Sequence, residues 1–140
     1  MIGIVLVSHA NIAKEMLDVV EHIVGPQNQI ISISIYPKDD MEKKRIEILN
    51  SVKKVDSGNG VVVLTDMFGG TPSNLAISVM ENEKIEVVAG VNLPMLIKMM
   101  SIREKTKLKE LIKISQESGR KYINVASAFF EENKDWDKKK

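Results

Sequence analysis

No cysteine occurs in this chain, which excludes a disulfide framework, a thiolate nucleophile and a zinc site of the cysteine type. A reducing compartment is compatible with that composition. No apolar run approaches the roughly 18 residues that a membrane-spanning helix requires. The opening MIGIVLVSHA shows neither a basic leader nor a small-residue cleavage site, so the expectation is a cytoplasmic protein. An excess of one charge is lacking too: 20 Lys and Arg stand against 19 Asp and Glu, a net charge of +1, interspersed until the tail. That pattern offers no basic face, and no nucleic-acid partner is expected. What is present is 140 residues, 44% of them hydrophobic, enough for one well-cored domain and too few for two.

Apolar stretches of two kinds alternate along the chain. IGIVLVS (2–8), IISISI (30–35), GVVVLTD (60–66) and IEVVAGV (85–91) are short, rich in β-branched residues and bounded by turn residues, as strands are. The first and third are almost continuously apolar, which suits strands covered on both faces. Between them lie helical spacings. Ile12, Met16, Val19, Val20, Ile23 and Val24 recur at intervals of three and four, and Gly25-Pro26 closes that helix. Asp39 or Asp40 is placed to cap a second helix, with Met41, Ile48, Leu49, Val52 and Val55 on its stripe and Arg45 as the polar exception. Thr71 is read as the cap of a third helix with Pro72 in its first turn, and Asn92 as the cap of LPMLIKMM. KLKELIKISQESG reads as a last amphipathic helix closed by Gly119, KYINVA (121–126) as a short final strand, and EENKDWDKKK (131–140) as a polar, frayed tail outside a domain of residues 1–130.

A βαβαβα order implies a single-domain α/β fold, a mostly parallel four-stranded sheet flanked by helices. In such folds ligands bind beyond the carboxyl ends of the strands, where the strand order reverses. Ser8 and His9 end the first strand; Thr65 and Asp66 end the third. The two ends can therefore meet. Imidazole changes charge near neutral pH and its unprotonated nitrogen is a nucleophile. A carboxylate on one ring nitrogen would aim the other outward, and Asp66 is the natural candidate. Beside it FGGTPSN supplies Gly69 and Gly70, which let backbone amides approach a ligand, and then a helix start at Thr71 and Ser73 carrying about half a unit of positive charge. That combination is an anion bed facing an oriented histidine, and phosphohistidine chemistry fits it. Taken singly, each piece has a structural reading: GG as a turn, Thr71 as a cap, Asp66 as a strand end.

Other chemistries lack their parts. There is no GxSxG elbow for a serine hydrolase, no GxxxxGK[ST] phosphate loop, and no GxGxxG after the first strand. His22 sits with Lys14 and Asp18 at four-residue spacing on a polar helix face, which makes it a surface residue and not a metal ligand, and no metal or other cofactor is expected. A receiver domain needs an acidic pair after its first strand, where SHAN stands here.

GIVLVSHANIAKEML, VVVLTDMFGGTPSNLA and VVAGVNLPMLIKMM together resemble, in order and spacing, the enzyme IIA component of the mannose-family sugar phosphotransferase system. The resemblance runs to about residue 126, and DMFGGTPSN is its most specific piece. It implies that His9 takes a phosphoryl group from the histidine phosphocarrier protein HPr and passes it to enzyme IIB, which serves the membrane components IIC and IID. It implies that Asp66 hydrogen-bonds the active imidazole and that Thr71 and nearby amides lie by the phosphoryl group. It also implies a homodimer in which the short last strand, near KYINVA, is exchanged and runs antiparallel. Met67 and Phe68 are the candidates for an apolar docking rim, with Asn92 on the neighbouring wall. Two related roles stand beside transport: a phosphocarrier subunit of a dihydroxyacetone kinase, and a regulatory module that reports its phosphorylation state.

Overall fold

Residues 2–8 are all buried and run into strand β1 (Gly3–His9), the hub of the sheet in a computed structural model that describes residues 1–80 and 84–132. Strand β2 (Ile30–Ile35) lies on one side of it and β3 (Val61–Thr65) on the other, with β4 (Ile85–Ala89) beyond β3. The order is β2-β1-β3-β4 and every pairing is parallel. The chain thus leaves β1 toward one edge and returns to build the other, so the crevice opens between β1 and β3.

Alternation along β1 and β3 divides the core. Ile4, Leu6, Val62 and Leu64 pack toward helices α1 (Ile12–Val24), α4 (Leu93–Ile102) and α5 (Leu108–Lys121), against Val20, Leu96, Met99 and Leu111. Val5, Val7, Val61 and Val63 face α2 (Met41–Val55) and α3 (Thr71–Ser78), against Ile48, Val52, Val55, Ala76 and Val79. Burial on both faces is what the unbroken apolar runs of β1 and β3 demand. At about 1.5–3 kcal/mol for each fully buried aliphatic side chain, these two strands are the chief apolar contributors to the fold.

Most element boundaries follow the expected signals. Gly25 ends α1, Asp40 caps α2 by accepting the Lys43 amide at 3.1 Å, and Asn92 caps α4 by accepting the Met95 amide at 3.0 Å. Three differ. Helix α3 takes Gly70 and not Thr71 as its N-cap, which leaves the Thr71 hydroxyl without a capping bond. Gly119 does not close α5: the helix continues to Lys121, and Gly119 is buried where a Cβ would come within 3.1 Å of Met95 Cε and 3.4 Å of Asn92 Oδ1. It is glycine so that α5 can lie close against α4. The final strand expected at 121–126 does not form within this chain: Lys121 is the end of α5, Tyr122 turns, 123–125 are irregular, and α6 (Ala126–Glu132) begins at Ala126. A strand needs a ladder partner, and this segment lies on no strand of its own sheet. Of the expected tail, residues 131 and 132 complete α6, and the rest lies outside the described residues.

Arg103 closes the amino-terminal end of the sheet. Although 1% exposed, its guanidinium donates to the carbonyls of Ile2, Asn28 and Gln29 and to Gln27 Oε1, tying α4 to the turn before β2. Burial lowers its pKa, with Glu104 acting against that shift. No helix among the described residues is long and apolar enough to cross a membrane.

Candidate functional site

The register of β1 on β3 pairs Val7 with Thr65, which puts His9, two residues further along β1, and Asp66, the residue that follows β3, at the mouth of the crevice. There they meet. Asp66 Oδ2 accepts two hydrogen bonds from His9, one from the backbone amide at 2.9 Å and one from the ring Nδ1 at 2.8 Å. Its Oδ1 accepts the Met67 amide at 3.0 Å. An ionised carboxylate can only accept, so Nδ1 carries the proton, and in the neutral form of the ring the lone pair lies on Nε2. Burial by itself would raise the Asp66 carboxyl, but the amide and imidazole hydrogen bonds and the charge of His9 outweigh it and hold the group below its ordinary value. The Asp66 side chain is 13% exposed and that of His9 47%, so the acid is sheltered while the imidazole stays reachable.

Gly70 forms the other wall. A Cβ on it would lie 2.6 Å from His9 Cε1 and 2.9 Å from Nε2, so the bare α-carbon packs against the far edge of the ring. Gly69 supports the approach with a φ of +87°. Helix α3 starts directly behind. Pro72 has no amide hydrogen and the Asn74 amide is taken by the Gly70 carbonyl at 3.1 Å, which leaves the Thr71 and Ser73 amides as donors without an intrahelical acceptor. With the positive end of the helix dipole they can serve an anion.

His9 and Thr71 line a cavity of about 320 Å3 together with Ile35, Tyr36, Pro37 and Met41. His9, Asp66, Gly69, Gly70 and Thr71 are therefore brought together. Ser73 takes a different place: its hydroxyl is buried and donates to the Gly70 carbonyl at 3.0 Å, fixing the loop that carries the glycines, so only its amide is left for an anion. Met67 and Phe68 stand 58% and 60% exposed on the same loop. Asn92 is engaged elsewhere, since its amide donates to the Gly119 carbonyl at 2.9 Å while its oxygen caps α4. His22 is exposed on α1.

Reading strand ends alone overlooked the contribution of β2. Its register, His9 beside Ile35, puts the YP turn at residues 36–37 next to the imidazole. Tyr36 donates its hydroxyl to Asn11 Oδ1 at 2.5 Å, which joins that turn to the start of α1. The signal was available: a second strand parallel to the first must end at the same rim. No comparable signal marks Ala10, which follows His9 with a φ of +48°.

The family model described as "PTS system fructose IIA component", EIIA-man, matches residues 3–116. Among curated proteins, the fructose-specific EIIA component of Bacillus subtilis is 27% identical over 135 residues, covering 96% of this chain and 92% of that protein. The mannose-specific EIIAB component of Escherichia coli is 32% identical over 129 residues, 91% of this chain. This chain spans 40% of that longer protein's length. Among solved structures, the phosphotransferase system component EIIA from Streptococcus agalactiae superposes with a TM-score of 0.83 at 27% identity, covering 91% of this chain and 99% of that one.

Proposed function

Because this chain belongs to the mannose-type family of sugar phosphotransferase system IIA components, we propose that it is a cytoplasmic phosphocarrier whose phosphoryl group rides on His9. The observation that carries the reading is the 2.8 Å contact of His9 Nδ1 with Asp66 Oδ2, which leaves Nε2 as the nucleophile beside the start of α3. In the loading step Nε2 bonds to phosphorus as the bond to the donor histidine nitrogen breaks. The donor imidazole leaves with that electron pair. HPr is the donor and enzyme IIB the acceptor, where the same exchange runs outward toward the IIC and IID membrane components.

The residues present account for the catalysis that such a transfer needs. Little covalent chemistry is asked of the protein, so alignment and charge stabilisation dominate. Asp66 fixes the tautomer and stabilises the positive charge that grows on the ring as Nε2 is phosphorylated. The Thr71 hydroxyl and the amides of Thr71 and Ser73 face the nearly two negative charges that the phosphoryl group brings. Met67 and Phe68 supply apolar contact for a docked partner. A homodimer belongs to the same reading: β4 is an edge strand, and Ile123 and Val125 are 77% and 69% exposed, apolar side chains free to pair with it in a second copy.

The test is intact-protein mass after incubation with phosphoenolpyruvate, enzyme I and HPr. One acid-labile phosphoryl group is expected on the native chain and on His22→Ala, and none on His9→Ala. A native chain that stays unmodified with competent donor would refute the carrier reading, and so would label that survives His9→Ala.

A further inference from the structure

Ser8 is 1% exposed at the end of β1, and its one hydroxyl reaches across the turn that follows His9. Its Oγ accepts the amide of Ala13 at 2.7 Å and donates to the carbonyl of Ala10 at 3.3 Å. The first bond does the work of a helix cap from an unusual place. Asn11 occupies the N-cap position of α1 but makes no side-chain capping bond, because its oxygen accepts from Tyr36 and Ser34. Ser8 supplies the missing acceptor from three residues further back.

The second bond falls on the strained residue. Ala10 lies in the left-handed region with φ +48°, a conformation that a residue with a Cβ adopts only when its surroundings impose it. Two bonds impose it here: the Ala10 amide donates to the Ile35 carbonyl at 2.9 Å, and the Ala10 carbonyl accepts from Ser8. His9 is the residue between. Its own amide is held by Asp66, so its backbone is fixed from Asp66 on one side and from the Ala10 turn on the other.

We propose that Ser8 is a positioning residue for His9: its hydroxyl latches the left-handed Ala10 turn and thereby keeps the imidazole in the slot between Asp66 and Gly70. This rests on the carrier reading above for its kinetic consequence, but not for its structural one. Without the latch, only the Ile35 bond holds the strained Ala10 turn, the turn loosens toward the right-handed region, and the ring no longer donates to Asp66 from a single orientation. Glycine at position 10 would hold the same turn without strain and would need the latch less.

The native chain, Ser8→Ala, Ser8→Thr and Ser8→Ala/Ala10→Gly decide the matter, each first shown to be folded by circular dichroism. Transfer from phosphorylated HPr is followed at varied donor concentration, and the His9 imidazole is read by long-range 1H–15N correlation. For Ser8→Ala the rate at saturating donor is expected to fall about tenfold with KM within about twofold, as a sub-ångström misplacement of the attacking atom would give. The ring signals are expected to shift from one Nδ1–H tautomer toward a mixture. Ser8→Thr should restore both readouts, and the double variant should recover part of each. If Ser8→Ala does not fold, Ser8→Cys takes its place, with a smaller loss of the same kind expected. A folded variant with native ring signals overturns the proposal, as does a defect confined to KM or a double variant that recovers nothing. If the native chain takes no phosphoryl group at all, the carrier reading falls while the ring signals still judge the latch.

Discussion

Gly70→Ala isolates the geometry of the transfer step from the stability of the fold. Gly70 has φ −105° and ψ 171°, extended backbone that alanine adopts without strain. The added methyl meets the imidazole, with its carbon 2.6 Å from His9 Cε1 and 2.9 Å from Nε2, whereas ordinary contact begins at 3.4 Å. The ring must therefore retreat by about 0.8 Å, a distance set by that difference. Closing on Asp66 is barred, since Nδ1 already lies 2.8 Å from Oδ2. The ring has to swing outward, lengthening that bond and turning Nε2 off the line of attack. A misplacement of 1 Å costs about 100-fold in rate, so a fall of between about tenfold and 100-fold is expected in the transfer rate at saturating HPr. Stability should barely move: the ring is half exposed, and alanine at a compatible site removes about 0.4–1 kcal/mol of unfolded-state freedom. Rapid-quench transfer from phosphorylated HPr reads the first quantity and thermal unfolding the second. A native transfer rate in Gly70→Ala would refute the claim that Gly70 holds the ring in its reactive place.

Asp66→Asn leaves no good orientation for the new amide, because Oδ2 accepts two donors from His9 and Oδ1 accepts the Met67 amide. Whichever way it turns, an NH2 group faces an N–H, so transfer should slow by about 100-fold or more, read as phosphorylated HPr consumed over time. The same carboxyl makes stability depend on pH. Its folded pKa lies below the ordinary 3.8, so its contribution is complete above that value and fades as pH falls through the lower folded one. Acid unfolding of the native chain below about pH 4 should therefore be steeper than that of Asp66→Asn; parallel curves would remove the coupling. Arg103→Lys replaces a fork that reaches four acceptors with a single ammonium, and a loss of about 3 kcal/mol, or roughly 10 °C in Tm, is expected. Transfer at low temperature should be unchanged, since Arg103 lies at the start of β1, about 20 Å from His9 by strand rise.

The sequence by itself determined the layered α/β plan and the meeting of His9 with Asp66. Both follow from local rules: β-branched runs make strands, three- and four-residue spacings make helices, and right-handed parallel connections place all strand ends at one rim. Tertiary structure decided what those rules leave open. Gly119 lies inside a helix because close packing of α5 on α4 requires a residue without a side chain there, whereas the local signal for glycine is a helix stop. The 121–126 segment has β-branched residues yet no strand, because a strand exists only with a partner and none adjoins it among the described residues. Ser73 and Asn92 carry polar groups that suited a ligand or a partner, but their hydrogen bonds go to Gly70 and Gly119, and only folded distances could show that. Ser8 and Ala10 were silent for the same reason. A left-handed alanine has no signature in sequence, since the strain is local while the bonds that hold it, from Ser8 and Ile35, come from the assembled β1–β2 rim.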